Sequence, residues 1–207
     1  MRRHDSCAVL AALLALVVYS AAYADATRDS SAAMIAQRGA PHGAPPCSSC
    51  HGQAGEGIAA TGFPRLAGLP AAYLLAQLDA LASGIRQSPV MGPLAQGLSP
   101  RERSQLADYY AALPGPVGAT AAAGARLDDG LALHGRWSDE IPGCVQCHGA
   151  NGSGVGATFP PLAGQPAVYI ANQLRAWKQG TRRGEPLNLM QAIASRLSER
   201  DIRAVSD

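Results

Sequence analysis

Two short stretches of the chain place two thiols and an imidazole at the same spacing. They are Cys47-Ser48-Ser49-Cys50-His51 and Cys144-Val145-Gln146-Cys147-His148. Thiols three residues apart share one helical turn, where each can add to one vinyl group of a porphyrin, and the following histidine then reaches the iron. Each C-x-x-C-H stretch therefore predicts a covalently attached c-type haem. The candidate attachment residues are Cys47, Cys50, Cys144 and Cys147, and the candidate proximal iron ligands are His51 and His148.

Other chemistries also use paired cysteines. Two disulfide bonds would suit an oxidising compartment, but they give no reason for a histidine at the same place twice. Zinc sites made of two C-x-x-C pairs space the pairs by about 15 to 20 residues, whereas here Cys47 and Cys144 are 97 residues apart. A thioredoxin-like redox pair expects a βαβ context, and the segments here have a helical apolar period. Haem attachment is favoured over all three.

Methionine is the residue type that could complete the iron coordination. Thioether sulfur is a natural axial donor to haem iron, and a His/Met pair raises the reduction potential. Met91 and Met190 follow His51 and His148 by 40 and 42 residues. The alternative use of a methionine is core packing. Since Met91 lies in the turn-rich segment 89–93, we expect it to be presented by a stiff loop rather than by a helix, and we expect both methionines to be iron ligands.

The two motifs belong to a tandem repeat, which places the chemistry in two similar units. After a one-residue deletion, Phe63-Pro64-Arg65-Leu66-Ala67-Gly68 matches Phe159-Pro160-Pro161-Leu162-Ala163-Gly164, and Met91 aligns with Met190 after a three-residue insertion. The segment that begins at Pro114 is rich in Pro, Gly and Ala and is predicted to be a linker. The repeat predicts one domain over residues 25–115 and a second over residues 116–207.

Each unit is predicted to consist of short helices. Leucines at helical spacing predict a helix over residues 71–83 that ends before Gly84, and its partner spans residues 167–179 and ends before Gly180. Ser99 and Ser198 begin the next helix of each unit. The second copy stops opposite residue 108 of the first, so its last helix is expected to be truncated and to fray. No alternating apolar pattern predicts strands, and the expected class is all-α.

The first 24 residues have the pattern of an export signal. A basic start is followed by the apolar run 8–18 and by Ala22-Tyr23-Ala24, which predicts cleavage before Asp25 and a periplasmic mature protein. An uncleaved membrane anchor is the alternative, although the apolar run is short for one. The net charge of +2 excludes nucleic-acid binding through bulk charge. Aromatic residues make up only 5% of the chain, which indicates thin cores that another apolar group must fill.

The paired C-x-x-C-H units, the P-x-L-A-G segments and the late methionine loops resemble the two-haem class I cytochromes c of the cytochrome c4 type. The resemblance covers nearly all of the chain after the leader. It implies two packed haem domains with propionates near their interface. It further implies that the carbonyls of Pro64 and Pro160 accept hydrogen bonds from the histidine Nδ1 atoms, and that Tyr73 and Tyr169 line the haem environment unless they are helix-core aromatics. His42 and His134 match no ligand position and are expected at the surface.

An iron closed on both faces leaves no room for a substrate, so we expect an electron carrier and not an enzyme. The resemblance implies respiratory partners: a quinol-oxidising complex or a dehydrogenase as donor and a terminal oxidase as acceptor, with at most peripheral membrane contact. Two alternatives remain, a haem-bearing subunit of an exported dehydrogenase and a dihaem peroxidase or sensor with an open iron. A basic cluster lies on one predicted helix and the loop after it, and it would be a solvated face, a group that neutralises propionates or a docking patch for an acidic partner: Arg175, Lys178, Arg182 and Arg183.

Overall fold

The computed structural model describes residues 31–41, 43–115 and 130–207. The predicted leader, His42 and most of the predicted linker lie outside the described residues. Within them the secondary structure consists of α-helices, short 3-10 turns and isolated backbone bridges, without a named strand. The all-α prediction is confirmed. No helix in this part of the chain is long and apolar enough to cross a membrane.

The helices of the two units follow the same order along the chain. In the first unit they are α1 (31–38), α2 (Ser48–His51), α3 (Ala71–Ala82), α4 (Met91–Gln96) and α5 (Pro100–Ala112). In the second unit they are α6 (Leu131–His134), α7 (Cys144–His148), α8 (Ala167–Lys178), α9 (Leu189–Arg196) and α10 (Glu199–Ser206). Short 3-10 turns lie at Trp137–Asp139, Ala150–Gly152 and Pro186–Asn188.

The two equivalent twelve-residue helices, α3 and α8, begin where the sequence predicts and end within one residue of the prediction. Each follows a proline, Pro70 or Pro166, and each ends one residue earlier than predicted. The glycine after the cap has a left-handed φ of 77° at Gly84 and 71° at Gly180. A residue with a Cβ is disfavoured in that conformation, which explains why glycine terminates both helices.

The last helix of each unit begins with a capping box. The side chain of Ser99 accepts a hydrogen bond from the backbone N–H of Glu102 in α5, and that of Ser198 accepts one from Asp201 in α10. In both helices the carboxylate in turn accepts a hydrogen bond from the backbone N–H of the serine. α10 is helical up to Ser206, and tertiary packing supports it: Ile202 is fully buried, and Ser206 Oγ donates a 2.7 Å hydrogen bond to the Ile202 carbonyl. The fraying expected from the sequence stays a prediction.

The methionine segments differ from the expectation of a loop. Met91 is the first residue of α4, and Met190 is the second residue of α9. Pro93 does not prevent α4 from forming, because it occupies the first turn, where a backbone N–H has no partner inside the helix. Before α9 the chain passes through Leu187 and Asn188 with positive φ values of 61° and 52°. The second unit therefore reaches its methionine through a more irregular backbone.

In each unit the twelve-residue helix packs on the two helices that come after it in the chain: α3 lies on α4 and α5, and α8 lies on α9 and α10. The side chains buried between them are mostly small or medium in size, and the largest that are fully buried in the described residues are Ile141 and Ile202. A cavity of about 1440 Å³ remains between the helices and extends through both units. Side chains alone leave the centre of each unit unfilled.

Protein produced without haem attachment is expected to lose most of its helical circular dichroism. The unfilled cavity deprives the surrounding side chains of packing partners, and units of this size have little other buried surface. Far-ultraviolet circular dichroism of the unmodified and the haem-containing protein, each with a thermal scan, measures the difference. Native-like helicity with a cooperative transition in the unmodified protein would contradict this expectation.

Candidate haem-binding site

The wall of the cavity contains the groups that the sequence singles out in both units. Cysteine, histidine and methionine side chains from both repeats line one continuous space that crosses the interface between the units. Pro64, Pro160, Tyr73 and Tyr169 line it as well. The structure thus brings together all twelve candidate site residues, and these are Cys47, Cys50, His51, Met91, Cys144, Cys147, His148, Met190, Pro64, Pro160, Tyr73 and Tyr169.

Both histidines are held in the orientation that metal binding requires. The Nδ1 atom of His51 lies 2.9 Å from the carbonyl oxygen of Pro64, and the Nδ1 atom of His148 lies 2.9 Å from that of Pro160. A carbonyl oxygen can only accept, so Nδ1 carries the proton and Nε2 keeps its lone pair. Burial lowers the pKa of both histidines, which favours the neutral imidazole that a metal binds. The hydrogen bonds that the resemblance implied are present in both units.

The loop after each histidine brings the proline carbonyl back to it. In the first unit the N–H of Gly57 donates to the carbonyl of His51 at 2.7 Å, and a backbone bridge joins Ile58 to Phe63. Gly57 has a φ of 83°, and a Cβ there would lie 2.6 Å from the backbone nitrogen of Arg65. Glycine is therefore required where the two segments of this loop approach each other. Gly154 has the same role in the second unit, with a Cβ position 2.7 Å from Pro161.

Each cysteine pair lies beside the histidine that ends its helix: Cys47 directly precedes α2 and Cys50 lies within it, whereas Cys144 begins α7 and Cys147 lies within it. Burial raises the pKa of the Cys47 and Cys144 thiols. Before haem attachment these two thiols are therefore uncharged at neutral pH, and the apolar cavity accommodates them without an ionic partner. Each pair lies on one helical turn facing the cavity, which is the arrangement that thioether attachment to a porphyrin edge requires.

Six side chains from α3, α8 and the loops after them form a polar cluster at the junction of the two units, called here the interface cluster. Arg86 Nη2 donates to Tyr169 Oη at 3.1 Å and to Gln173 Oε1 at 2.8 Å. In the opposite direction, Arg182 Nη2 of the second unit donates to Tyr73 Oη of the first unit at 3.1 Å. Each guanidinium also donates to the glutamine of its own unit. The members are Tyr73, Gln77, Arg86, Tyr169, Gln173 and Arg182.

The interface cluster holds two positive charges and lines the cavity. Among the partners that the structure describes, neither guanidinium is bonded to a carboxylate. Arg182 is only 5% exposed, and a buried cation requires a compensating negative charge. Since each phenol oxygen already accepts from an arginine, the hydroxyl hydrogens of Tyr73 and Tyr169 remain to be donated. The site is therefore suited to anionic acceptors, which is the chemistry of haem propionates.

Buried polar atoms on the cavity wall without a protein partner give the same indication. Trp177 Nε1 and Arg65 Nε are donors of this kind, and Glu185 Oε2 is an acceptor of this kind. Buried polar groups are normally hydrogen-bonded, so unpaired donors on residues that line a cavity indicate a ligand with acceptors. The cavity, the thiols, the neutral imidazoles and these donors together fit one haem in each unit.

The basic cluster on α8 and the loop after it is not one exposed patch. Arg182 belongs to the buried interface cluster, and its guanidinium carbon lies 3.9 Å from the centre of the Trp177 ring. Arg175 pairs with Glu199 at 3.0 Å, and Lys178 donates to the carbonyl of Leu197. Of the three interpretations of this group, neutralisation of propionates fits Arg182, and the structure does not support a shared docking patch.

Sequence reasoning missed Arg86, which has the same role in the first unit as Arg182 in the second. The signal was available, because Arg86 and Arg182 are separated by the same 96 residues as Tyr73 and Tyr169. His134 is exposed at the end of α6, as expected for a residue outside the site. Met34 is 57% exposed on α1, away from the cavity wall.

Replacing Arg182 with glutamine is expected to lower the free energy of unfolding by about 2 kcal/mol, because charged hydrogen bonds to Tyr73 and Gln77 are lost. The loss of a positive charge beside the cavity also stabilises oxidised iron, so the reduction potentials should fall. Arg183→Gln is the matched control, since Arg183 is the neighbouring residue and is exposed. Chemical denaturation and spectroelectrochemistry test both effects, and equal behaviour of the two variants would contradict the assignment.

Comparison with known proteins gives the family. The family model for cytochrome c matches residues 36–113 and 139–207. A thiosulfate dehydrogenase electron acceptor of Stutzerimonas stutzeri is 48% identical over 178 residues, which cover 83% of this chain and 81% of that protein. Cytochrome c4 of Pseudomonas aeruginosa is 36% identical over 162 residues, with coverage of 77% and 80%.

Solved structures agree with the sequence relatives. Thiosulfate dehydrogenase (TsdBA) from Marichromatium purpuratum matches with a TM-score of 0.78 and 41% identity over 86% of this chain, which spans 39% of that longer chain. Reduced cytochrome c4 from Pseudomonas stutzeri matches with a TM-score of 0.69 and 34% identity, covering 77% of this chain and 90% of that one. The chain therefore belongs to the cytochrome c family, as a cytochrome c4-like electron carrier with two tandem domains and two covalently attached haem c groups.

Proposed function

We propose that His51 and Met91 close the iron of the first haem, that His148 and Met190 close that of the second, and that the chain only transfers electrons. The observation that carries this proposal is that each unit places a neutral, hydrogen-bonded imidazole and a thioether on the wall of one cavity. The methionines are partly buried at the start of equivalent helices, α4 and α9. When bound, haem iron supplies a one-electron cycle between ferrous and ferric states.

The chain's own residues adapt this site to fast electron transfer. The proline carbonyls fix the histidine rings, and the N–H of Met91 donates to Ser88 Oγ at 3.0 Å, which anchors the start of α4. Leucine, alanine and isoleucine side chains on the cavity wall would surround a bound haem with apolar groups and keep water from it. A rigid, dry site changes little in geometry between the two charge states of the iron, which keeps the barrier for electron transfer low.

The interface cluster supports passage of electrons between the two units. Its tyrosines come from α3 and α8, its arginines come from the loops after these helices, and all four line a cavity that continues across the interface. A cluster that binds propionates from both sides would hold the two haems near each other. Electrons would then enter at one unit and leave at the other.

The donor that we propose is a periplasmic dehydrogenase, with thiosulfate dehydrogenase as the first candidate. Two relatives with 48% and 46% identity are named thiosulfate dehydrogenase electron acceptor, from Stutzerimonas stutzeri and Thiomonas intermedia. The similar TsdBA chain carries that activity in its name and is more than twice as long as the matched region. The predicted leader supports a periplasmic location.

A subunit of a dehydrogenase complex is the second candidate, and the TsdBA chain is the specific observation that favours it. The two candidates share the same haem sites and differ in how tightly the chain binds its donor. Co-purification of the native protein with a catalytic chain at physiological salt would favour the subunit, whereas isolation as a single chain would favour the free carrier.

Replacing either Met91 or Met190 with alanine is expected to remove about half of the weak red absorption band of the oxidised protein, which reports Met–Fe ligation, and to lower the potential of that haem. The open iron should then bind carbon monoxide when reduced. Met34→Ala, on the exposed face of α1, is the matched control and should keep both properties. A full red band in either of the first two variants would contradict the ligand assignment.

The oxidised protein is expected to stay oxidised with thiosulfate alone and to take up two electrons per chain when catalytic thiosulfate dehydrogenase is added. The reason is that closed irons accept electrons but cannot bind the substrate. Anaerobic absorption spectroscopy measures the uptake. Reduction by thiosulfate without the enzyme, or turnover of peroxide, would show a catalytic role instead.

A further inference from the structure

The backbone behind the proximal histidine differs between the two units. The hydrogen bonds from the histidines to Pro64 and Pro160 have the same length, 2.9 Å. The next residue, however, is Arg65 in the first unit and Pro161 in the second. Arg65 is 4% exposed and lies against the second unit.

Gln165 of the second unit binds both backbone groups of Arg65. The N–H of Arg65 donates to Gln165 Oε1 at 3.0 Å, and Gln165 Nε2 donates to the carbonyl of Arg65 at 2.9 Å. A side-chain amide that pairs with one residue in this way imitates a neighbouring strand and fixes that residue's orientation. The Arg65 guanidinium adds a 3.1 Å hydrogen bond to the carbonyl of Ala163 and another to the carbonyl of Ala67.

The reciprocal contact cannot form. Pro161, which corresponds to Arg65, has no backbone N–H to donate. Leu69, which corresponds to Gln165, has an apolar side chain that cannot form hydrogen bonds. The second unit therefore holds the proximal loop of the first unit, while the first unit cannot hold that of the second by the same means.

We propose that Gln165 is a positioning residue for the proximal histidine of the other unit. By fixing Arg65 it fixes the adjoining Pro64 carbonyl, and a firmly held acceptor keeps a strong hydrogen bond with His51 Nδ1. A stronger bond makes the imidazole a more basic ligand and stabilises ferric iron. Gln165 thus lowers the potential of the first haem alone and makes two haems with the same ligands unequal. This inference rests on the proposed ligation of iron by His51.

The test replaces Gln165 with leucine, the residue that the first unit has at the corresponding position 69. Gln179→Leu is the matched control, because it makes the same change at an exposed residue at the end of α8. The potential of each haem in the haem-containing protein is followed separately through the NMR resonances of its methyl groups. We expect Gln165→Leu to raise the potential of the first haem and to leave that of the second, and we expect the control to change neither.

A second measurement uses the native protein and therefore does not depend on whether a variant folds. In the reduced native protein, the Nδ1 proton of His51 is expected to exchange with solvent about tenfold more slowly than that of His148, as the loss of one hydrogen bond would accelerate it. Gln165→Leu should remove this difference.

Equal exchange in the native protein, or a shift of both haems or of neither in Gln165→Leu, would overturn the inference. If the red bands of both haems are intact, the proposed ligation survives that result. If the native first haem lacks its band, the proposed ligation itself is wrong.

Discussion

Each unit of this chain is a shell of short helices around a space that its own side chains do not fill. The fully buried residues are mostly alanine, with Ile141 and Ile202 as the largest, and about 1440 Å³ remains between the helices. A core of this kind has too little apolar contact to hold helices of four to thirteen residues together. The covalent haem is therefore a structural element as well as the redox centre. The C-x-x-C-H turns matter for the fold because they fix that element in place.

Charged side chains contribute to the contact between the units, whereas the core of each unit depends on buried apolar area. Arg86 of the first unit binds Tyr169 of the second unit, and Arg182 of the second unit binds Tyr73 of the first. Two cations close together repel one another, and an anion bound between them offsets that repulsion. Anionic haem propionates bound at the cluster would therefore strengthen the association of the units.

The repeat is symmetric in the residues proposed to bind iron and asymmetric in the groups that support them. Both histidines use a proline carbonyl, and both methionines begin or nearly begin a helix. Gln165 binds Arg65 across the interface, whereas the left-handed pair Leu187 and Asn188 precedes only the second methionine. A carrier with two centres benefits from unequal centres, since a difference in potential gives the electron a direction. Relatives that accept electrons from a dehydrogenase are consistent with such a use.

Features that depend on residues within a few positions of one another could be predicted from the sequence. These are the haem motifs, the ends of α3 and α8 near a glycine and both capping boxes. The tandem repeat could be predicted as well, because it is visible when the two halves of the sequence are aligned. The hydrogen bonds from His51 to Pro64 and from His148 to Pro160 span thirteen and twelve residues, and they were predicted from the resemblance to cytochromes of the c4 type.

The contacts between the two units depend on the tertiary fold. The hydrogen bonds that Arg86, Arg182 and Gln165 make across the interface join residues 83 to 109 positions apart, and no local pattern specifies such pairings. Burial of Ile202 likewise supports α10 through residues distant in the sequence. Met91 begins a helix and not a loop, because the first turn of a helix accommodates Pro93, which lacks a backbone N–H.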